Sequence, residues 1–154
     1  MLAISLGDLS LHVVINLMRC FPCLEKLYIE SQTAKDRNFW RRKHRNLIRC
    51  LDIRLKTVVL KHYRGTKSQI SFASFFVLNA KMLESMIFEG EVYNDDKISV
   101  SEQHMLLQLE KRASLRARFT FTGRICRHNN LTHIDHVRDL SLTNPFECTC
   151  SERA

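Results

Sequence analysis

The chain has 154 residues, 45% apolar and 26% charged, with a formal net charge of +8 at pH 7. That length fits one domain able to bury most of its core, and the balance is that of a globular protein, not a disordered tail. No apolar run reaches the roughly 18 residues a membrane helix needs, and no basic segment precedes an apolar one at the start, so a signal peptide is not expected. Without an export signal, the six cysteines are expected as reduced thiols in a cytoplasmic or nuclear protein.

In chain order, Met1, Ile4 and Leu6 open with a spacing that returns later. Leu11, Val14, Ile15 and Met18 form a stripe at helical period over 11–20, and Pro22 stops that helix. The next segment, Leu24-Glu25-Lys26-Leu27-Tyr28-Ile29, has apolar residues at its first, fourth and sixth positions. After a basic stretch, Leu55, Val58 and Leu60 repeat the spacing. Ser68 is the expected cap of a second helix, whose Ile70, Phe72, Ala73, Phe75, Phe76 and Val77 leave almost no polar face. A helix apolar on nearly every side is buried on nearly every side. Leu83, Met86 and Phe88 give another copy of the spacing. Ser99 and Glu102 stand at capping-box distance, ahead of a third helical stripe through Met105, Leu106, Leu109 and Ala113. Arg118-Phe119-Thr120-Phe121-Thr122 alternates as a half-buried strand, and Val137, Leu140 and Leu142 close the series. No Pro- or Gly-rich linker divides the chain.

The copies start 23, 31, 28 and 54 residues apart, and the last interval has room for the Arg118–Thr122 strand. A short strand per turn followed by a returning helix, at roughly 20–29 residues, is the signature of a leucine-rich repeat. Such units stack because none can bury its apolar face alone, and the stacked strands form a curved recognition surface. Parallel strands follow from the helical crossovers. Period two turns Leu27, Ile29, Val58, Leu60, Met86 and Phe88 inward. Lys26, Tyr28, Glu30, Thr57, Val59, Lys61, Ser85, Ile87 and Glu89 then fall on the opposite sheet face. Tyr28, Val59 and Ile87, with Glu30, Lys61 and Glu89 beside them, make a candidate partner-binding face. The other reading of the same residues is a face covered by the chain's own insertions.

The charge is local. Lys35 to Arg49 holds seven basic residues against Asp36, so +6 of the +8 lies in that window. Arg41, Arg42, Lys43 and Arg45, with Phe39, Trp40 and His44, form a candidate basic patch able to grip phosphates and stack a base. The competing reading is a solvated insertion between repeats. No glycine-rich phosphate loop and no Gly-x-Ser-x-Gly elbow occurs, so no catalytic residue is assigned and an enzyme is not expected. Cys20-x-x-Cys23 has zinc-knuckle spacing, and Cys126, His128, His133, His136, Cys148 and Cys150 crowd the end. Cys20 and Cys23 flank the helix-to-strand join, however, and Cys148-x-Cys150 has the wrong spacing, so neither a metal site nor a cofactor is expected.

These segments also carry a resemblance. Cys20 to Ile29, Arg41 to Ile48, Leu55 to Gly65, Phe75 to Ala80, His104 to Gln108, Lys111 to Ser114 and Asp139 to Phe146 are similar to the C-terminal part of plant (grass) F-box proteins with leucine-rich repeats and an FBD domain. The resemblance implies an α/β fold: an open, horseshoe-like stack of parallel strands and helices, closed by an FBD unit. Residues 1–50 would be partial repeats carrying the basic insertion, and 51–154 an FBD-type region continuous with them. It implies a non-enzymatic module holding a protein target, as in the substrate-binding part of a ubiquitin-ligase receptor. The alternative is nucleic-acid binding through 35–49. In relatives the F-box docks a Skp-type adaptor. On this resemblance the chain is expected to begin inside the repeats, without an F-box.

Overall fold

The computed structural model describes residues 1–7, 9–31, 52–90 and 99–123. Its strands are β1 (Leu2–Leu6), β2 (Lys26–Ser31), β3 (Thr57–Lys61), β4 (Ser85–Glu89) and β5 (Arg118–Thr122). They form one sheet in the order β1-β2-β3-β4-β5, with every neighbouring pair parallel. Helices α1 (Leu11–Cys20), α2 (Lys67–Asn79) and α3 (Val100–Leu106) lie between strands in the chain, and a 3-10 turn, Leu109–Lys111, follows α3. The result is an open α/β stack.

The register explains the six-residue spacing. Leu2, Leu27, Val58, Met86 and Phe119 align across the sheet, as do Ile4, Ile29, Leu60, Phe88 and Phe121. Both rows belong to the core, together with Leu24, Leu55 and Leu83, which precede their strands. Just before the strands the backbone repeats one contact. Thr57 N–H donates to the Glu25 carbonyl, Ser85 N–H to that of Lys56, and Arg118 N–H to that of Glu84. This ladder holds the crossovers at one height, so each strand meets the next without slipping. A one-residue slip would turn every core side chain to the wrong face.

The helices complete the core. α1 buries Leu11, Val14, Ile15 and Met18, the stripe its spacing predicts. α2 buries Phe72, Ala73, Phe75, Phe76 and Val77, as well as Ser68, Gln69 and Ser74. Its cap is Thr66, not Ser68. The Thr66 side chain accepts from Gln69 N–H at 3.3 Å while the Gln69 side chain returns to the Thr66 N–H. That reciprocal pair satisfies two of the helix's orphan donors, and Ser68 lies inside the first turn.

The third stripe also needs correction. Ser99 caps α3 as expected, accepting from Glu102 N–H at 3.2 Å. The helix ends at Leu106, however, because Gln108 takes a left-handed conformation, φ +56. The helix turns Gln103 and Leu107 inward, so Met105 is 73% exposed and Leu106 42%, and Leu109 is buried beyond the reversal. α3 itself buries Gln103. The expected Val137, Leu140 and Leu142 copy lies outside the described residues.

Candidate interaction face

Three rows of side chains cross the sheet on the side opposite the helical core. The first holds Lys26, Thr57, Ser85 and Arg118; the second Ala3, Tyr28, Val59, Ile87 and Thr120; the third Ser5, Glu30, Lys61, Glu89 and Thr122. The six residues singled out from the sequence (Tyr28, Glu30, Val59, Lys61, Ile87 and Glu89) therefore do come together, in two adjacent rows on β2, β3 and β4. Tyr28 and Val59 form a small apolar cluster with Ala3 and Ile87 at its sides.

The middle of this face is not open. Tyr28 is 6% exposed and Val59 1%; Glu30 and Lys61 are also buried, whereas Ile87 and Glu89 are half-buried. The exposed side chains stand at the margins, in Ser5, Lys26, Arg118 and Thr120. Solvent thus reaches the β4 and β5 side of the sheet more readily than its centre.

Charge alternates along the third row, with Lys61 in register between Glu30 and Glu89. Opposite charges on neighbouring strands favour this register. His62 Nε2 stands 3.1 Å from Glu30 Oε1, adding a second partner at the end of β2. A similar alternation, Glu25–Lys56–Glu84, precedes the strands. Lys56 Nζ lies 2.7 Å from Glu25 Oε1. The hydrogen bond to Lys56, and then the ammonium charge, hold the Glu25 carboxyl below its usual range; the same bond and the Glu25 charge raise Lys56, with Glu84 helping.

The loop after β3 fixes the far end of the face. His62 has φ +56 and Gly65 φ +70, and Gln69 closes the loop. Its Nε2 donates to the His62 carbonyl at 2.9 Å and its Oε1 accepts from Arg64 N–H at 2.7 Å. Tyr63 turns inward, donating its hydroxyl to Gln103 Oε1 at 2.7 Å. Its ring lies 4.7 Å from Phe88, which stacks on Phe121 at 4.6 Å. Burial pushes the Tyr63 phenol well above its ordinary range. A side chain at Gly65 would collide with Gln103, and one at Gly90 with the Tyr63 carbonyl.

One stretch of sequence builds the centre of this arrangement. Residues 43–88 match the family model described as FBD. The FBD match takes in β3, the His62–Thr66 loop, α2 and nearly all of β4, and it ends at Phe88. No curated protein and no solved structure matches the chain.

Other sequence candidates fare differently. Arg41, Arg42, Lys43 and Arg45 lie outside the described residues, as do Cys126, His128, His133, His136, Cys148 and Cys150. Cys20 and Cys23 are exposed free thiols. Among the described residues no three of His, Cys, Asp and Glu gather in a metal-holding group, and no helix is long and apolar enough to cross a membrane. Tyr63, Gln69 and Gln103 are not among the sequence candidates, although Thr66-x-x-Gln69 is a capping-box signal.

Proposed function

We propose that this chain is a non-enzymatic protein-interaction module, and that its target engages the candidate sheet face from its β4 and β5 side. The reading likens it to the substrate-receiving part of an F-box protein of the leucine-rich-repeat and FBD type. Residues 51–154 would act as the FBD-type region, continuous with partial repeats over 1–50. The observation that carries it is the FBD match at 43–88, because that segment supplies Val59, Lys61 and Ile87 of the six candidate residues. Since Tyr28 and Val59 are buried, first contact falls to Ile87 and Glu89, with Thr120 and Arg118 alongside. Charged residues beside an apolar strip would set register, while the strip excludes water.

The test is affinity capture with the full chain, read by mass spectrometry, beside the variants Ile87→Arg and Glu89→Lys. The expected result is a protein target retained by the parent chain at moderate salt and lost with both variants. Capture unchanged by either variant would remove the face from consideration. The rival is nucleic-acid binding. Tight single-stranded binding that falls steeply with salt, and disappears on neutralising Arg41, Arg42 and Lys43, would replace the proposal.

A further inference from the structure

Three crossovers enter their strands through the same turn. Leu24 N–H donates to the Phe21 carbonyl at 3.0 Å, Leu83 N–H to that of Ala80 at 3.2 Å, and Ala117 N–H to that of Ser114 at 3.3 Å. The two central residues of each turn are exposed: Pro22 and Cys23 before β2, Lys81 and Met82 before β4, Leu115 and Arg116 before β5. Such positions usually go to glycine, proline, asparagine, aspartate or serine. The turns before β4 and β5 instead carry one cation and one large apolar side chain each. Met82 is 50% exposed, and Leu115, at 84%, is the most exposed of the large hydrophobic side chains among the described residues.

These two turns lie side by side. Counting back from the Ser85–Arg118 register, Met82 stands level with Leu115. The Ser114 hydroxyl donates to the Leu83 carbonyl at 2.6 Å, tying one turn to the other. Neighbouring strands are about 4.8 Å apart, so Met82 and Leu115 form one apolar spot, flanked along the chain by Lys81 and Arg116. Arg118, exposed and level with Ser85, adds a third cation. None of the three forms an ion pair among the described residues. The one acid in 80–85 and 114–118 is Glu84, and its charge helps hold the Lys56 ammonium. Single apolar residues on a surface need no explanation. A pair in register, raised on turns and set among three cations, does.

We propose that the paired turns Lys81–Met82 and Leu115–Arg116 dock a short acidic segment of a partner protein, whose carboxylates meet Lys81, Arg116 and Arg118 while its apolar side chains cover Met82 and Leu115. Charge complementarity selects that partner. Three cations are too few for an anionic bilayer, whose recognition uses clusters of about four to eight. Met82 and Leu115 offer no aromatic surface on which a nucleic-acid base would stack. The patch is two strands wide, which matches a few residues of extended chain. It meets the sheet face only at Arg118, and it stands whether or not a target engages Ile87 and Glu89.

Fluorescence anisotropy tests it, with the full chain and a labelled synthetic peptide in which leucines are spaced among aspartates and glutamates. The expected result is saturable binding that falls with salt and weakens about tenfold when Lys81→Glu and Arg116→Glu are combined. Leu115→Ser should weaken it about threefold or more, and so should serine in place of the peptide's leucines. Lys81, Leu115 and Arg116 are all exposed, so the circular dichroism of these variants should match that of the parent chain. Ile87→Arg should leave the affinity unchanged, which separates this site from the sheet face. No binding, equal binding of the leucine and serine peptides, or full affinity in Leu115→Ser overturns the proposal. Loss in Ile87→Arg with the turn variants silent also overturns it, assigning the peptide to the sheet face. Loss confined to the neutralisation of Arg41, Arg42 and Lys43 does the same in favour of the basic segment. Sedimentation with mixed phosphatidylserine–phosphatidylcholine vesicles is the last arm. Vesicle binding that requires Leu115, in a chain that ignores the peptide, replaces the acidic segment with a lipid surface.

Discussion

Removing the Tyr63–Gln103 hydrogen bond from each side in turn gives a closed test of the buried network. Tyr63 is 6% exposed and Gln103 8%, so neither side chain can exchange its partner freely for water. Tyr63→Phe deletes the donor and strands Gln103 Oε1, at a cost of about 1.5 kcal/mol; a buried group left unsatisfied typically costs 1–3. Gln103→Ala leaves the phenol hydroxyl buried and also removes side-chain packing, so about 2.5 kcal/mol is expected. In the double variant neither group is stranded, and the total should fall short of the sum by about 1 kcal/mol. Urea unfolding followed by circular dichroism reads all four corners of the cycle. In a chain of this length each kcal/mol also moves the melting midpoint by about 2–4 °C. Additive single effects, or singles below about 0.5 kcal/mol, would refute the claim that this bond ties α3 to the loop after β3.

The same tyrosine predicts alkaline sensitivity. Burial raises its folded-state value, so its stabilising contribution is full below about pH 10, the unfolded phenol value, and declines as pH rises beyond it; Tyr63→Phe should flatten that limb of a stability–pH profile. Gly90→Ala places a methyl group against the Tyr63 carbonyl, and because backbone cannot give way as a flexible side chain does, a loss above about 2 kcal/mol in urea unfolding is expected. Gly65→Ala combines φ +70 with contact against the Gln103 side chain and should cost about 1 kcal/mol or more. Lys56→Glu would turn the Glu25–Lys56–Glu84 alternation into three acids, lowering the melting midpoint at low ionic strength by an amount that shrinks in high salt. A salt-independent change would show that Lys56 acts through packing instead.

Strand positions were legible because one physical cause writes them twice. Leu27 and Ile29, Val58 and Leu60, and Met86 and Phe88 keep period two, and Leu24, Leu55 and Leu83 mark the turn three residues earlier. The α2 cap is equally present in the sequence: Ser68 stands beside the apolar run, but the reciprocal pair is Thr66, two residues upstream, with Gln69. The end of α3 was not legible. Gln108 is neither glycine nor asparagine, and nothing in its chemistry announces a left-handed turn. Period two placed the six residues on one side of the sheet. It could not show that Tyr28 and Val59 are shielded, because alternation assigns a side of the sheet and says nothing about what lies above it. Tyr63 and Gln103 are forty positions apart, and long-range pairing of two polar residues leaves no local pattern.

The in-register order β1-β2-β3-β4-β5 also bears on how the molecule comes apart. Each strand is hydrogen-bonded only to its immediate neighbours, so rupture at one place does not require rupture everywhere. Opening from either margin breaks a single ladder, whereas opening at β3 breaks two. Amide protection should therefore peak in β3 and fall toward β1 and β5, as in quasi-one-dimensional arrays. β5 is better tethered than β1, through the Phe88–Phe121 stack and the Gly90 N–H bond to the Thr122 carbonyl. Within the described sheet the amides of β1 are thus expected to exchange first, so loosening begins at the margin and travels inward one ladder at a time.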